Sequence, residues 1–393
     1  MPSKTTYPGV HIEELPSQIR TITGVSTSVA AFIDFVKKGP MNKAVHISSM
    51  GDFDREFGGI DTRSEASYAV QQFFLNGGSE AWIIRVSRAE PDELKIDAKV
   101  LIGDSTPTKT GLHALDDVDL FNILCIPRIV ELSDSDAVKV ITFACSYCEK
   151  RRAFFIVDTP KTCNNVQKIQ DWLDGNSAVR HKNAALYFPR VSIIDPLNDF
   201  KLRSIGASGM IAGLYARIDR TKGVWKAPSG LEAGLAGALD LSVKLTDYEN
   251  GDLNAEGINC LRVFPNMEAV AWGSRTLVGV DTLTDEWKYI SVRRTALFVE
   301  ESLYRGTQWV VFEPNDEPLW SQIRLNVTTF MHGLFRQEAF QGRTPAEAYF
   351  VKCDKETITQ DDINKGIVNF IVGFAPLKPA EFVVIKIQQH ASS

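Results

Sequence analysis

Three apolar runs decide the fold of this chain: NILCIP at 122–127, AFFIVD at 153–158 and AALYFP at 184–189. Each run is typical of a buried strand in its length and composition. Helix signals fill the two gaps, from Ser133 or Asp134 to about Lys150 and from Val166 to Leu173. This βαβαβ order predicts a parallel sheet with helical crossovers.

The segment before these runs continues the α/β pattern. A strand is expected at Val29–Phe35, a helix at Glu65–Leu75 that ends at Asn76-Gly77-Gly78, and a further strand at Ala81–Val86. Residues 87–117 are polar and are interrupted by proline and glycine. We expect them to form a surface connection with at most a short hairpin.

The segment after the three runs mixes helices and strands. The helix signal at Asn315–Gln337 is the strongest in the chain, because apolar residues recur there at helical spacing. The other expected elements are a small-residue helix at Gly206–Ala216, strands at Cys260–Phe264 and Ala269–Trp272, a helix at Ile290–Gly306, a strand at Trp309–Phe312, a capping box at Thr344–Glu347, a strand at Tyr349–Val351 and a short helix from Thr359 to Gly366.

Both chain ends have the pattern of a strand on a tether. In GIVNFIVGFAPLKPAEFVVIKIQQ at 366–389, Val383, Ile385 and Ile387 alternate onto one face behind two prolines. This strand either folds back on its own domain or reaches an edge strand of another copy. Residues 1–22 form a short polar arm with strand-like alternation at Val10–Glu13. The predicted fold class is α/β and α+β, with a mixed α/β domain, a smaller α+β C-terminal domain and extended arms.

Composition excludes several classes of protein. The 393 residues suffice for about two or three domains, and 44% apolar with 23% charged residues is ordinary for a globular protein. A net charge of −6 without a long basic run argues against a nucleic-acid binder. We expect neither a transmembrane helix nor a signal peptide. Six scattered cysteines fit a reducing cytoplasm better than a disulfide scaffold.

Two candidate catalytic features have simpler explanations. Cys145 and Cys148 form a CxxC motif inside a predicted helix, with no second pair at metal-ligand spacing, so we expect core cysteines. Asp158 ends a strand, where catalytic acids often lie. However, Asp158-Thr159-Pro160 is equally a turn that begins a helix, and no phosphate-binding glycine loop precedes it. We favour the turn.

Other polar groups also lack a catalytic pattern. The glycines from Gly206 to Gly213 surround Ser208 but do not form a GxSxG elbow, and close helix packing is the favoured interpretation. Asp116, Asp117 and Asp119 lack a cation-binding loop signature and are typical of a solvated face. The six histidines are scattered, at 11, 46, 113, 181, 332 and 390. We predict no enzyme, no catalytic residue, no cofactor and no metal site.

Several motifs resemble those of contractile tail sheath proteins, which occur in phage tails, R-type bacteriocins and extracellular contractile injection systems. The arm YPGVHIEE at 7–14 is similar to the family's YPGVYIEE opening, and DRTKGVWKAP at 219–228 is similar to its DRxxGVWKAPAN segment. Further matches are Val270–Leu277, Trp287–Arg294, Phe312–Asn315, Gly342–Ala348 and Lys378–Phe382. The resemblance is dense over about 219–389 and weak in the α/β middle.

The resemblance implies a structural protein whose copies stack as hexameric rings around an inner tube and contract to drive it through a target envelope. Its implied partners are further copies of itself, the inner tube protein, and baseplate and terminator or cap proteins. Neither nucleic-acid contact nor stable membrane insertion is implied. Assembly in the bacterial cytoplasm would precede release as part of a phage tail or tail-like particle.

The resemblance also assigns parts of the chain to roles. It implies strand-donating arms at 1–22 and 381–393, an outer α/β sheath domain at 23–284 and an inner C-terminal domain at 285–380. The strands between subunits would use Tyr7, Val10 and Ile12 in one arm and Phe382, Val383, Ile385 and Ile387 in the other. A helix of the inner domain would face the tube, with Arg324 and Gln322 as candidate contacts.

Two other interpretations stay open. Residues 120–216 alone would suit an α/β enzyme or ligand-binding domain, and a baseplate or adaptor protein of the same contractile system would share the C-terminal motifs. The short 87–117 connection favours a minimal sheath of a bacteriocin or extracellular injection system, with a small phage as the alternative.

Overall fold

The computed structural model describes residues 20–87 and 96–382, which pack into two compact units. Within these residues, the large unit comprises residues from 25 to 301 and from 376 to 382. The small unit comprises residues 20–24 and 302–375.

The large unit is built on strands that follow the predicted α/β order. They are β1 (Ala30–Asp34), β2 (Ala44–Ile47), β3 (Ala81–Arg85), β4 (Ile123–Cys125), β5 (Phe154–Val157), β6 (Ala184–Phe188), β7 (Val191–Asp195), β8 (Lys201–Ile205), β9 (Asp240–Leu241), β10 (Ile258–Val263) and β11 (Ala269–Ala271).

Eight of these strands form one sheet in the order β11-β10-β6-β5-β4-β1-β3-β2. The pairs from β10 to β3 are parallel, which confirms the predicted parallel core, while β2 and β11 are antiparallel edges. A separate small sheet has the order β8-β7-β9. The described strands of the large unit thus form a mostly parallel sheet with a three-stranded satellite.

Helices connect the strands and cover the sheet. They are α1 (Met50–Phe57), α2 (Glu65–Leu75), α3 (Ala98–Ile102), α4 (Asp134–Lys150), α5 (Val166–Gly175), α6 (Ser208–Lys222), α7 (Asp247–Ala255) and α8 (Ile290–Gly306). Ser64, Ser133 and Asn165 cap α2, α4 and α5, and each accepts the backbone N–H group three residues ahead. The predicted helices at these positions are confirmed.

The sheet is buried on both faces. Every residue of β1 is buried, and alternate residues face two different hydrophobic clusters, with Phe32 in one and Ile33 in the other. On one face α6 packs closely on α2. A Cβ at Gly209 would lie 2.2 Å from the carbonyl oxygen of Ala69, so only glycine allows this approach. The predicted role of the small residues in helix packing is confirmed.

A buried ion pair joins the end of α6 to the start of α8. Arg294 donates to Asp219 at 2.6 and 2.9 Å and to the carbonyl oxygen of Thr27 at 2.9 Å. Its guanidinium also lies 4.5 Å from the ring centre of Tyr215. Burial, the largest single effect, lowers the pKa of Arg294, but the charge and hydrogen bonds of Asp219 together with the neighbouring tyrosines leave it raised. Arg294 therefore stays charged inside the unit.

The small unit combines one long helix with a two-stranded sheet. Its elements after the end of α8 are α9 (Glu317–Arg336), α10 (Pro345–Ala348), β12 (Tyr349–Lys352), α11 (Gln360–Asn364) and β13 (Ile371–Phe374). Asp316 caps α9, and its buried stripe contains the five apolar residues predicted from their spacing, Trp320, Ile323, Val327, Phe330 and Leu334. Thr344 and Glu347 form the predicted capping box of α10. The antiparallel strands β12 and β13 pair Phe350 with Gly373.

Two expectations from the sequence are wrong. The described part of the 87–117 connection holds α3 and a 3-10 helix at Gly111–Asp117 instead of a hairpin, and its Leu101, Leu112 and Leu115 are fully buried in the core. Trp309–Phe312 is a 3-10 turn, not a strand. The guanidinium of Arg20 lies 4.5 Å from the centre of the Trp309 ring. Within the described residues, no strand lies beside this segment to pair with its backbone.

The remaining global features agree with the composition. All six cysteines are buried free thiols. Among the helices of residues 20–87 and 96–382, none combines the length and apolarity needed to cross a membrane.

Candidate functional site

A buried arginine binds the chain close to its last described residue, Phe382. Arg275, just after β11, has a side chain with no exposed surface. Its Nε and Nη2 donate to the two carboxylate oxygens of Glu381 at 2.8 and 2.7 Å. Its Nη1 donates to Asp281 at 2.9 Å and to the carbonyl oxygen of Asn254 at 2.8 Å. This forked pairing fixes Glu381 in position and orientation.

Two carboxylates keep Arg275 charged despite its burial. Burial by itself lowers the pKa of Arg275, but the hydrogen bonds and charges of Glu381 and Asp281 together leave it raised. Lys288 and Arg275 together hold the pKa of Asp281 below its usual value, with the Lys288 hydrogen bond as the main cause. Tyr289 adds a hydrogen bond to Glu381 at 3.3 Å. We call Arg275, Asp281, Tyr289 and Glu381 the arm clamp.

Asn259 on β10 holds the clamp's arginine in place. Its side chain accepts from the Arg275 backbone N–H at 2.7 Å and donates to the Arg275 carbonyl oxygen at 2.7 Å. It donates further to the Leu186 carbonyl oxygen on β6. Because Gly273 lies against Asn259, a Cβ there would approach the Asn259 Cα to 2.8 Å. The clamp is thus built on the central sheet of the large unit.

A groove surrounds the root of the C-terminal arm, which we define as Pro379–Phe382. Lys226, Asn254 and Trp272 line this groove together with the root itself. Phe382 is 76% exposed, although it is a large apolar residue. The last described residue, Phe382, therefore presents an exposed apolar side chain next to the clamp.

The small unit contains a two-stranded sheet. Within the described residues, β12 and β13 pair only with each other. The ring of Phe350 lies across Gly373, where a Cβ would be 2.2 Å from the ring. Phe350 and Ile371 are each 50% exposed. Since an isolated two-stranded sheet is marginally stable in water, these strands suit the addition of another strand.

The predicted site residues are distributed over both units. Phe382 lies at the arm root, while Tyr7, Val10, Ile12, Val383, Ile385 and Ile387 lie outside the described residues. On α9, Arg324 donates to the Cys353 carbonyl oxygen and to Glu317 at 2.6 Å, and Gln322 is partly exposed. The clamp pairing of Arg275 with Glu381 is a feature that the sequence analysis missed. Both residues stand in segments quoted there, but they are 106 positions apart.

The candidate catalytic residues are part of the core. Cys145 and Cys148 are buried, and burial raises the pKa of Cys145 to about 12 and that of Cys148 well above its usual value. Neither thiol therefore forms a reactive thiolate near neutral pH. The expectation of core cysteines is confirmed.

Asp158 is buried at the end of β5 and has a helix-capping role. Its carboxylate accepts from the backbone N–H of Ser208 at 2.9 Å and from the Ser208 hydroxyl. It therefore caps α6, instead of a helix that follows it directly in the sequence. Burial raises its pKa to about 6, against the opposing effect of these hydrogen bonds.

The acidic group near residue 116 is engaged by neighbouring side chains. Tyr147 donates to Asp116 at 2.6 Å, His113 lies 3.1 Å from the same carboxylate, and Lys109 pairs with Asp117. In the part of the chain that the structure describes, no three histidine, cysteine or acidic side chains converge as metal ligands.

The sequence of this chain is similar to those of phage tail sheath proteins. Residues 109–277 match the phage tail sheath protein central domain, and residues 282–390 match the phage tail sheath C-terminal domain. The chain is 23% identical to a prophage major tail sheath protein of Pseudomonas aeruginosa strain UCBPP-PA14, over 95% of this chain and 94% of that one.

Two solved structures are similar over nearly the whole chain. The first is the helical sheath of the anti-feeding prophage in its contracted state, at 29% identity and a TM-score of 0.76, covering 98% of this chain and 100% of that one. The second is the contracted sheath complex of the extracellular contractile injection system PVC, at 26% identity and a TM-score of 0.77, covering 99% of each chain.

Proposed function

The chain belongs to the phage tail sheath family as a structural sheath subunit, and on that premise we propose how its copies are linked. Copies stack as hexameric rings around an inner tube. Contraction of this lattice drives the tube through a target cell envelope. The protein performs no catalysis in this process, and its work is done by contacts between subunits.

The arm clamp is the observation that carries this proposal. It holds Glu381 on the central sheet and releases an arm whose Val383, Ile385 and Ile387 have the alternation of a strand. The acceptor is an edge of the β12–β13 sheet, which no other strand of the described residues covers: the arm of one copy adds a strand to the small sheet of a neighbour. The N-terminal arm, with Tyr7, Val10 and Ile12, adds a second linking strand.

The energetics suit a repeated link. Burial of Val383, Ile385 and Ile387 would contribute roughly 1.5–3 kcal/mol each before the cost of ordering the arm. A contribution of this size is modest for one pair of subunits but is repeated at every subunit of a ring. An arm fixed at its root also keeps the link while the bodies of the subunits rotate during contraction.

The proposal includes the other components of the particle. Beyond further copies of itself, the subunit contacts the inner tube protein through the C-terminal domain at 285–380, and baseplate and terminator or cap proteins at the two ends. Assembly takes place in the bacterial cytoplasm, and the finished sheath is part of a released phage tail or tail-like particle.

Removal of the arm tests the proposal. A chain truncated after Ala380 loses the strand of the arm and also the Arg275–Glu381 pair. It should stay soluble and keep a cooperative thermal melt, at a temperature lowered no more than in Glu381→Ala, but sediment as a monomer or small oligomer because the link between copies is lost. Negative-stain microscopy should show rings or tubes for the wild type and none for the truncated chain. Ile385→Pro is the matched variant, since it removes one ladder donor from a full-length arm.

Two results would contradict the proposal. Loss of the cooperative melt on truncation would assign the strand to the core of its own domain. Tubes as regular as those of the wild type from the truncated chain would show that the arm does not link copies.

A further inference from the structure

The hairpin of β7 and β8 ends in a turn whose backbone favours glycine. Ile194 pairs with Leu202 across the hairpin, and the Lys201 N–H donates to the Asn198 carbonyl oxygen at 2.9 Å. The two residues between, Asp199 and Phe200, have φ angles of +49° and +57°. Tight hairpin turns with two positive φ angles prefer Asn-Gly or Asp-Gly, so Phe200 stands where glycine is the usual residue.

A phenylalanine in this conformation costs backbone strain that glycine avoids. Bulky residues at positive φ are outliers, and strained backbone positions cluster at functional sites. Of the described non-glycine residues with positive φ, only Phe200 and Phe312 are apolar, since the others are polar or charged. The Phe200 side chain is 71% exposed, so the packing of its own chain does not compensate the strain.

Phe200 is one of four apolar residues exposed at this end of the hairpin. Leu202 is 59% exposed, Leu197 54% and Ile194 46%. We call Ile194, Leu197, Phe200 and Leu202 the hairpin tip. Large exposed apolar groups that lie together mark interaction sites more often than solvent-facing surface.

The charges beside the hairpin tip are internally balanced. Asp199 and Lys201 lie 3.8 Å apart. Arg203 donates to Glu65 at 2.7 Å and to the Thr62 carbonyl oxygen at 3.0 Å. The tip therefore presents a neutral apolar surface, which matches an uncharged apolar partner and offers no attraction to nucleic acid or anionic lipid.

The same unit also carries a second set of exposed apolar residues. Leu75 is 55% exposed, Leu231 57% and Leu239 56%. In an assembly of one kind of chain, both sets occur in equal numbers. A contact between two different surfaces of identical chains generates rings or helices, which is the form of a sheath.

We propose that the hairpin tip docks on a second copy of this chain, with Phe200 as the anchor of the contact. The inference rests on the proposed function, because sheath assembly brings the copies together. It adds a contact of the large unit that is separate from the arms. The strained phenylalanine is retained because its side chain is buried only in the assembly.

Phe200→Gly tests the proposal, because it removes the side chain and the strain at once. The unassembled variant should melt at the wild-type temperature or above it. Its critical concentration for forming rings or tubes, measured by sedimentation and negative stain, should rise at least tenfold. Asp199→Gly is the matched control: it relieves the adjacent residue of the same turn, keeps Phe200 and should assemble like the wild type.

The outcomes distinguish failure of the tip contact from failure of the proposed sheath function. If Phe200→Gly assembles at the wild-type concentration, the tip contact is refuted while the sheath function stands. A lower melting temperature would mean that Phe200 supports its own fold, which also overturns the contact. If the wild type forms no assembly under any condition, the proposed function fails first. Leu202→Thr, which keeps a strand-forming residue at the tip, should raise the critical concentration in the same direction.

Discussion

At the scale of single residues, Asp158 links stability to pH. Burial raises its pKa from 3.8 to about 6 in the folded chain. The unfolded chain therefore ionises at lower pH, and ionisation between about pH 4 and 6 favours unfolding. The free energy of unfolding should fall by up to about 3 kcal/mol over this range as the pH rises. Asp158→Asn removes this contribution, which unfolding by denaturant at pH 4, 5, 6 and 7 would measure.

The control for Asp158→Asn is the same substitution at an exposed aspartate. Asp252→Asn, at an exposed position of α7, should keep the wild-type pH dependence. A wild-type profile parallel to that of Asp158→Asn would contradict the raised pKa. At pH 7 Asp158→Asn should assemble like the wild type, as should Cys145→Ser and Cys148→Ser, since we assign these residues no chemistry.

Asp158 also illustrates what the sequence reveals about a residue. Its place at the end of a strand follows from the apolar run before it. Its partner, Ser208, is 50 positions away, and only the fold brings the two together. The same limit applies to the arm clamp, where neither Arg275 nor Glu381 carries a local pattern that names the other.

At the scale of elements, α9 is the candidate contact with the tube. Ile323 is fully buried, whereas Arg324 is partly exposed and pairs with Glu317. Ile323→Ala should lower the free energy of unfolding by about 2–5 kcal/mol, because it leaves a cavity. Arg324→Glu should instead weaken co-sedimentation with purified tube while the melt changes little. Arg324→Lys retains the charge and should bind the tube nearly as well as the wild type.

Equal co-sedimentation for Arg324→Glu and the wild type would remove α9 from the tube interface. Arg324→Glu also places two carboxylates together, so a parallel loss in Glu317→Gln would point to the local helix structure instead of the tube. The two variants therefore separate a contact from a fold effect.

Elements with local signals were predictable, and those that depend on distant partners were not. The cap signal at Ser133 or Asp134 located α4, and the end signal at Asn76-Gly77-Gly78 located α2. The apolar run at Trp309–Phe312 has the composition of a strand, but it has no neighbouring strand in the described chain and turns at Phe312 with a φ of +71°. The proline and glycine residues of the 87–117 connection are typical of a surface loop, and for that reason its buried leucines were not predicted.

At the scale of the whole molecule, strand order was beyond the sequence. The βαβαβ alternation predicts neighbouring parallel strands, and β4, β5 and β6 follow it. It does not predict that β1 lies between β4 and β3, or that β7, β8 and β9 form their own sheet. These arrangements depend on which edges are open when the strands meet. The arms raise the same question between chains, because we propose that their partners belong to other copies.

The arm clamp makes a prediction about assembly that differs from removal of the arm. Glu381→Ala leaves Arg275 with Asp281 and two carbonyl oxygens, so the subunit should stay folded at a cost of about 1–3 kcal/mol. The variant keeps the proposed strand of the arm but leaves its root unfixed, which should lower the effective concentration of the arm at the neighbour's sheet. The critical concentration for assembly should therefore rise roughly tenfold, and more protein should restore the tubes. The chain truncated after Ala380 should not be restored in this way. If Glu381→Ala assembles at the wild-type concentration, the clamp serves only the fold of its own unit.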